Sequence, residues 1–499
     1  MNPLFLTDGY KTGHHQQYPD GTTTVYSNFT PRSNKYAPKG CDHVVSFGQQ
    51  MIMKQIHDTF QKEFFSQPKE EVCGEMKREL SMYLNTDYDV SHFEALHDLG
   101  YLPIHVKSIE EGTLVPMRVP VLTIYNTVPE FYWITNYLET IISNLLWKPM
   151  TSATIAHQYR KVLTNWVDKT DKEQQWFIDW QGHDFSMRGM DSVDAVISSG
   201  LGHLTSFMGS DSLPTIYGAR KYYNELEAVC GSVNATEHSV MCAGSKDDEI
   251  ETFKRLIKTY PTGILSIVSD TWDLWKVHTE YLPALKDEIL ARDGKLVIRP
   301  DSGDPVDIIC GTIIFSDEFP GGNDYKEYLR TSKHTASPEE IGVVELLWDI
   351  FGGTINDQGY KVLDPHIGAI YGDSITIDRA NEICKRLEAK GFASTNIVLG
   401  VGSFTYQFNT RDTFGFAMKA TYVEVNSEGR EIFKDPITDD GIKKSAKGLL
   451  CVEELDGKIL LYDGVKWPTE ATGILQTIYK DGEFENQTTL TEIRERLRN

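Results

Sequence analysis

Paired cysteines, basic charge and long apolar runs are all scarce in this sequence, and each scarcity excludes a class of protein. Seven cysteines stand at positions 41, 73, 230, 242, 310, 384 and 451; none forms a C-x-x-C pair, and the number is odd. A disulfide scaffold or a structural zinc site is therefore not expected, and reduced thiols in a cytoplasmic protein are. Lys and Arg total 49 against 72 Asp and Glu, a net charge of −23. Such a chain is not built to coat nucleic acid or an anionic membrane, so neither is expected as a partner. Any phosphate ligand must be held by a few local cations against an unfavourable general field. No apolar run approaches the ~18 residues of a membrane helix. The opening Met-Asn-Pro-Leu-Phe-Leu-Thr-Asp lacks the basic region and apolar stretch of a signal peptide. A G-x-x-x-x-G-K-[ST] loop and an H-E-x-x-H zinc motif are also absent.

What is present is ample apolar content, 40% of 499 residues, arranged in two styles. The middle of the chain alternates short apolar runs with amphipathic helices. Strands are predicted at 205–211, 263–269, 295–299, 366–371 and 396–399. Helices are predicted at 214–223, at about 272–292, and over a face made by Ile377, Ala380, Ile383, Cys384 and Leu387. This alternation implies parallel strands, as in a barrel. Asp211, Asp270, Asp301, Asp373, Gly400 and Gly402 all fall at or near strand C-terminal ends, where barrel active sites lie. Helix capping is the alternative role for any one of these acids. The two ends of the chain read differently, with strands at 22–29 and 114–127 and hairpins around 426–429 and 455–457. The expected fold is α/β: an irregular TIM-like β/α barrel plus an α+β, antiparallel-sheet-rich domain built from both termini. The expected boundaries are 1–175, 176–405 and 406–499.

Eight short motifs then occur in a telling order: Thr7-Asp-Gly-Tyr-Lys11, His183-Asp-Phe-Ser-Met-Arg-Gly189, Thr236-Glu-His-Ser239, Val268-Ser-Asp270, Ile298-Arg-Pro-Asp-Ser-Gly303, Tyr371-Gly-Asp373, Asn409-Thr-Arg-Asp412 and Phe433-Lys-Asp-Pro436. In this order they resemble the nicotinamide phosphoribosyltransferases, which are type II phosphoribosyltransferases, over nearly the whole chain. The acid-rich, glycine-rich loop of type I phosphoribosyltransferases is absent.

The resemblance implies a reaction: the pyridine nitrogen of nicotinamide displaces pyrophosphate from phosphoribosyl pyrophosphate, giving nicotinamide mononucleotide for NAD salvage. It implies Mg²⁺ on the pyrophosphate and a homodimer whose subunits share their sites. Arg299 and Asp301 would lie at the ribose and pyrophosphate, with Asp270 and Asp373 in the same acidic cluster. Asp270 and Asp301 would hold the Mg²⁺-pyrophosphate, directly or through water. Gly372, Gly400 and Gly402 would let backbone approach phosphate, although Gly-Val-Gly-Ser-Phe here departs from a longer glycine run in some members. Arg32, Arg411, Lys419 and Lys434 match cations that reach the phosphates from the partner subunit. Phe185 and Tyr10 match an aromatic pair that sandwiches the pyridine ring, with Asp8 and Arg188 beside them. Asp211 matches the acceptor of the carboxamide N–H. Members of the family can phosphorylate the histidine matching His238, with ATP as co-substrate; Glu237 would orient that imidazole.

Other readings stay open on the residues alone. Asp211 equally suits the cap of the helix that follows. Nicotinate phosphoribosyltransferases share the architecture but should lack an acid facing the ring substituent. A barrel glycosidase could use two of the strand-end acids, and a non-catalytic phosphate-sugar binder would need none of them.

Overall fold

In the computed structural model, residues 1–312, 334–372, 374–433 and 446–498 are described, so the expected sites Asp373 and Lys434 lie outside the described residues. The chain divides into two compact units. One comprises residues 1–154, 218–226 and 409–499; the other comprises 155–217 and 227–408.

The first unit is organised on a seven-stranded sheet. Its order is Glu428–Glu431, Ala417–Val425, Thr22–Thr30, Leu122–Asn126, Ile104–Ile109, Leu475–Lys480 and Glu483–Phe484, with every pairing antiparallel. The N-terminal strand Thr22–Thr30 thus sits between one strand from the C-terminal region and another from the N-terminal region. Asn426 and Ser427 both have positive φ, as do Asp456 and Gly457. Two adjacent left-handed residues make the tight turn that suits a twisted hairpin, and each pair closes one: Ala417–Val425 to Glu428–Glu431, and Leu449–Leu455 to Lys458–Val465. The expected strand over 114–127 is instead two, Leu114–Pro116 and Leu122–Asn126. Arg118, at a φ of 71°, turns the chain between them.

One ion pair ties this sheet to the helix Trp467–Glu470. Lys107 and Glu470 are both buried and meet at 3.1 Å, and Lys107 Nζ also donates to the Glu470 carbonyl at 2.8 Å. Removing one partner of a buried pair strands the other charge, at a cost of about 3–5 kcal/mol. Glu470→Ala should therefore lower the urea midpoint of unfolding markedly, and Glu470→Gln should lower it less.

The second unit carries seven parallel strands: β1 Gly182–Asp184, β2 Gly209–Ser210, β3 Asn234–Ala235, β4 Leu265–Val268, β5 Leu296–Arg299, β6 Ile367–Tyr371 and β7 Ile397–Val401. Their order in the sheet is β2-β1-β7-β6-β5-β4-β3. An isolated parallel bridge between Gly209 and Gly231 links the β2 edge to the segment leading into β3. The sheet therefore curls, and its strand C-termini face one mouth. Strands β4 and β6 are buried at every residue, the continuous apolar pattern of a parallel sheet covered on both faces. Among the covering helices, Ile377–Ala389 buries Ala380, Ile383, Cys384 and Leu387 and starts at Thr376, whose hydroxyl accepts the Arg379 N–H at 3.2 Å.

Two expectations fall short here. Of the strand expected at 205–211 only Gly209–Ser210 forms, because the backbone N–H groups of Thr205, Ser206 and Phe207 close the end of the helix Val193–Leu204. The helix expected at about 272–292 is broken into Leu274–Lys276, Leu282–Ala284 and Lys286–Leu290, with a π turn at Val277–Tyr281. Pro283 supplies no N–H to that run. None of the seven cysteines is joined in a disulfide. Among the described residues, no helix is long and apolar enough to cross a membrane.

Candidate active site

The parallel strands deliver their C-terminal residues to one place. Two residues past β4, Asp270 turns its carboxylate back into the protein. Its Oδ2 accepts the backbone N–H groups of Asp301 at 2.8 Å and Ser302 at 2.7 Å, so the acid after β4 orders the loop after β5. Its Oδ1 is buried with no hydrogen-bond partner. Neither Asp270 nor Asp301 caps a helix; that work falls to Asp273 and Asp304, which accept N–H groups of the helices that follow them. Capping is thus excluded as the reason for Asp270 and Asp301.

His238 is the first residue of the short helix His238–Ala243. Its Nδ1 lies 3.1 Å from the Thr271 hydroxyl, and its Nε2 lies 3.6 Å from Asp301 and 3.9 Å from Asp270. The expectation that Glu237 orients this imidazole is corrected. The Glu237 carboxylate accepts from the Ser239 hydroxyl, and Thr271, directly after Asp270, is the residue that meets the ring.

Arg299 ends β5 and donates to the Thr236 carbonyl, while its Nε is buried without a partner. Burial pulls the guanidinium below its ordinary pKa, and the charges of Asp301, Asp211 and Asp270 oppose that pull. An arginine stays cationic under either influence. Gly372 lies against this pair. A Cβ there would come 2.9 Å from Asp301 Oδ1 and 3.5 Å from Arg299 Cδ, so only glycine leaves the two side chains where they are. Gly400 does not take the place expected of it, because it lies inside β7 rather than past its end. A Cβ on it would meet the Tyr371 carbonyl oxygen at 2.7 Å; glycine is required there for strands β6 and β7 to approach. Gly402 immediately precedes the helix Ser403–Gln407.

On the neighbouring side of the mouth stand His183, Phe185 and Asp211. His183 Nε2 lies 2.8 Å from Asp211 Oδ1, and the Ser232 hydroxyl donates to the same oxygen. Partial burial pushes the Asp211 carboxyl up, but these two hydrogen bonds, with the charges of His183 and Arg299, outweigh it and leave the pKa below its ordinary value. The partners seen on the Asp211 carboxylate are thus His183 and Ser232. The Phe185 ring sits 4.5 Å from the His183 ring, and Arg188 is exposed two residues beyond the buried Ser186. His183, Phe185, Asp211 and Arg299 line a cavity of about 770 Å³ that continues along the sheet interior to Lys295 and His366 near the strand starts.

The first unit gathers the remaining expected residues separately. Asp8 accepts from the Thr140 hydroxyl at 2.7 Å, and Tyr10 is 67% exposed, with the Lys11 ammonium 5.4 Å from its ring centre. Lys11 is buried on Glu139 at 3.0 Å, and Lys419 reaches the other oxygen of that carboxylate at 4.0 Å. Arg32 Nε donates to the Gly415 carbonyl at 3.1 Å; burial and then the nearby Arg411 charge lower its pKa. Arg411 itself is exposed, 3.6 Å from Asp412.

The profile of the nicotinate phosphoribosyltransferase (NAPRTase) family matches residues 180–499, and that of the nicotinamide phosphoribosyltransferase N-terminal domain matches residues 2–98. A nicotinamide phosphoribosyltransferase of Acinetobacter baylyi is 49% identical over 509 aligned residues, covering 100% of this chain and 97% of that protein. The chain belongs to the nicotinamide phosphoribosyltransferase family. A second relative of that name, from Mycoplasma pneumoniae, is 34% identical over 88% of this chain and 93% of its own. The family architecture also appears in a crystal structure of human nicotinic acid phosphoribosyltransferase. That chain is 14% identical, has a TM-score of 0.56, and is covered to 93% by 99% of this one. The likeness at this level concerns the fold.

His183, Ser232 and Thr271 were not singled out as site residues from the sequence. For His183 a signal existed, since it stands two residues before Phe185 at the end of a strand, the spacing that puts both on one face. For Ser232 and Thr271 the residue pattern offered none.

Proposed function

We propose that this chain transfers the phosphoribosyl group of phosphoribosyl pyrophosphate to nicotinamide, yielding nicotinamide mononucleotide and pyrophosphate. The observation that carries the reading is the convergence of Arg299, Asp270, Asp301 and His238 beside the cavity that Phe185 and Asp211 line. The pyridine nitrogen attacks C1 of the ribose; the C1–O bond breaks, and its electron pair leaves with pyrophosphate. Phe185 offers a ring for the pyridine to stack on. Asp211 accepts from the carboxamide, and Arg299 places positive charge beside ribose and pyrophosphate. Arg188 extends that charge at the mouth.

Mg²⁺ fits this donor set. Asp270 offers a buried oxygen without a partner, and Asp301 lies on the loop that Asp270 orders. Among the described residues no group of three acidic, histidine or cysteine side chains could hold a metal. Held by two carboxylates, Mg²⁺ would keep waters and substrate phosphate oxygens in the rest of its shell. Bound there, Mg²⁺ would neutralise charge developing on the leaving pyrophosphate.

Tyr10, Arg32, Arg411 and Lys419 complete the site from a second copy of the chain, with Asp8 beside Tyr10. Exposure of Tyr10, Arg411 and Lys419 supports such presentation. The solution mass is then twice the 56.6 kDa of the chain, which light scattering reads directly. His238 is the acceptor for ATP-dependent phosphorylation; its Nε2 faces the two carboxylates rather than a hydrogen-bond partner. ATP should stimulate mononucleotide formation in the wild type, and His238→Ala should abolish that stimulation while leaving slower ATP-independent turnover.

Pyrophosphate release is the test of the reading as a whole. Release that requires both nicotinamide and Mg²⁺ supports it. Release without any pyridine, or none at all, removes it.

A further inference from the structure

The hydrogen bonds around Asp211 point beyond the acid itself. A carboxylate oxygen only accepts, so His183 must carry a proton on Nε2 to bond Asp211 Oδ1 at 2.8 Å. The Ser232 hydroxyl donates to that same oxygen. Both donors therefore converge on one oxygen, and Oδ2 lies outside both bonds. The two come from opposite sides of the place where the sheet curls back on itself: His183 lies on β1, and Ser232 follows Gly231, the residue bridged to Gly209. The imidazole is in turn fixed by its own surroundings. It is largely buried, tilted against the Phe185 ring at 4.5 Å, and backed by Gly209, where a Cβ would lie 2.7 Å from Nδ1.

Resting on the proposed reaction, we infer that His183 is a positioning residue that, with Ser232, occupies Asp211 Oδ1 and so aims Oδ2 at the substrate, making a His183–Asp211–Ser232 relay the determinant of carboxamide over carboxylate. Asp211 alone would be free to rotate, and a rotating carboxylate meets the amide only part of the time. Held by two donors it presents one acceptor at one place, which a ring amide satisfies and a ring carboxylate does not. Gly209 belongs to the same device, because any side chain there would push the imidazole off Asp211.

The experiment measures kcat and KM for nicotinamide and nicotinate with phosphoribosyl pyrophosphate and Mg²⁺ in the wild type, His183→Ala, His183→Gln, Ser232→Ala and Gly209→Ala. His183→Ala should raise the nicotinamide KM about tenfold, with a smaller fall in kcat, and lower the nicotinamide-to-nicotinate ratio of kcat/KM by a similar factor. His183→Gln, which retains an N–H donor, should recover part of both. Ser232→Ala and Gly209→Ala should move the ratio in the same direction as His183→Ala. A ratio unchanged in His183→Ala and Ser232→Ala, in proteins that still turn over nicotinamide, overturns the relay and leaves the reaction standing. Equal losses for both substrates, without recovery in His183→Gln, also overturn it, since that is what general structural damage does. A wild type that turns over neither pyridine removes the reaction and the relay together.

Discussion

Asp270→Asn is expected to lower kcat about 10²–10³-fold, the scale of losing one preorganised electrostatic contact in an active site, while the folded structure persists. The reasoning lies in how the two oxygens divide their work. Oδ2 accepts the N–H groups of Asp301 and Ser302, and an asparagine oxygen in the same place can still accept both. Oδ1 is buried without a partner near His238 Nε2; there the amide substitutes a donor for an anion. The variant thus keeps the loop and removes the negative charge proposed to face Mg²⁺-pyrophosphate. Asp270→Ala should lose more, because the loop carrying Asp301 is released as well. Steady-state kinetics at saturating Mg²⁺, with circular dichroism as the control for folding, separates the two effects. Equal activity in wild type and Asp270→Asn would remove Asp270 from the chemistry.

The second large effect is expected at Asp211. Two unit charges ~4 Å apart repel by about 4 kcal/mol at an effective dielectric near 20. Even half of that amounts to roughly 30-fold in discrimination. Asp211→Ser should therefore lower the ratio of kcat/KM for nicotinamide over nicotinate by at least that factor, through poorer use of nicotinamide and relief of repulsion on nicotinate. The pH dependence has a definite sign. Because hydrogen bonds and neighbouring positive charge hold the Asp211 carboxyl below its ordinary value, it remains an anion through the usual carboxylate range. The wild-type ratio should hold as pH falls from neutrality and weaken only below that range. A ratio that collapsed near pH 6 would place the discriminating charge on another group.

Much of the second unit was legible because its signals are local. Apolar runs such as 265–268 and 367–371 have no polar face, so burial on both sides follows from composition alone. The turn residues Asn426 and Gly457 mark hairpins that the backbone indeed makes. The failures share a different cause. The Thr205–Phe207 stretch opens the run expected as a strand, but its N–H groups close a helix; sequence periodicity does not register that competition. Gly400 reads as lying past a strand end and lies inside the strand instead, where its lack of a side chain lets the neighbouring strand approach, a fact carried by Tyr371. Contacts made by curling the sheet were out of reach for the same reason: His183 and Asp211 are 28 residues apart, and Asp211 and Ser232 are 21 apart. The expected residues of the first unit, Tyr10, Arg32, Arg411 and Lys419, carried no signal beyond family likeness, since in sequence a lone tyrosine or cation does not stand apart from ordinary surface residues.

The most direct test supplies purified protein with Mg²⁺ and phosphoribosyl pyrophosphate, offers nicotinamide and nicotinate in separate reactions, and identifies the product by mass. The arrangement of Asp211 beside Phe185 and Arg299 predicts nicotinamide mononucleotide as the dominant product; nicotinate mononucleotide in equal or greater amount would contradict it.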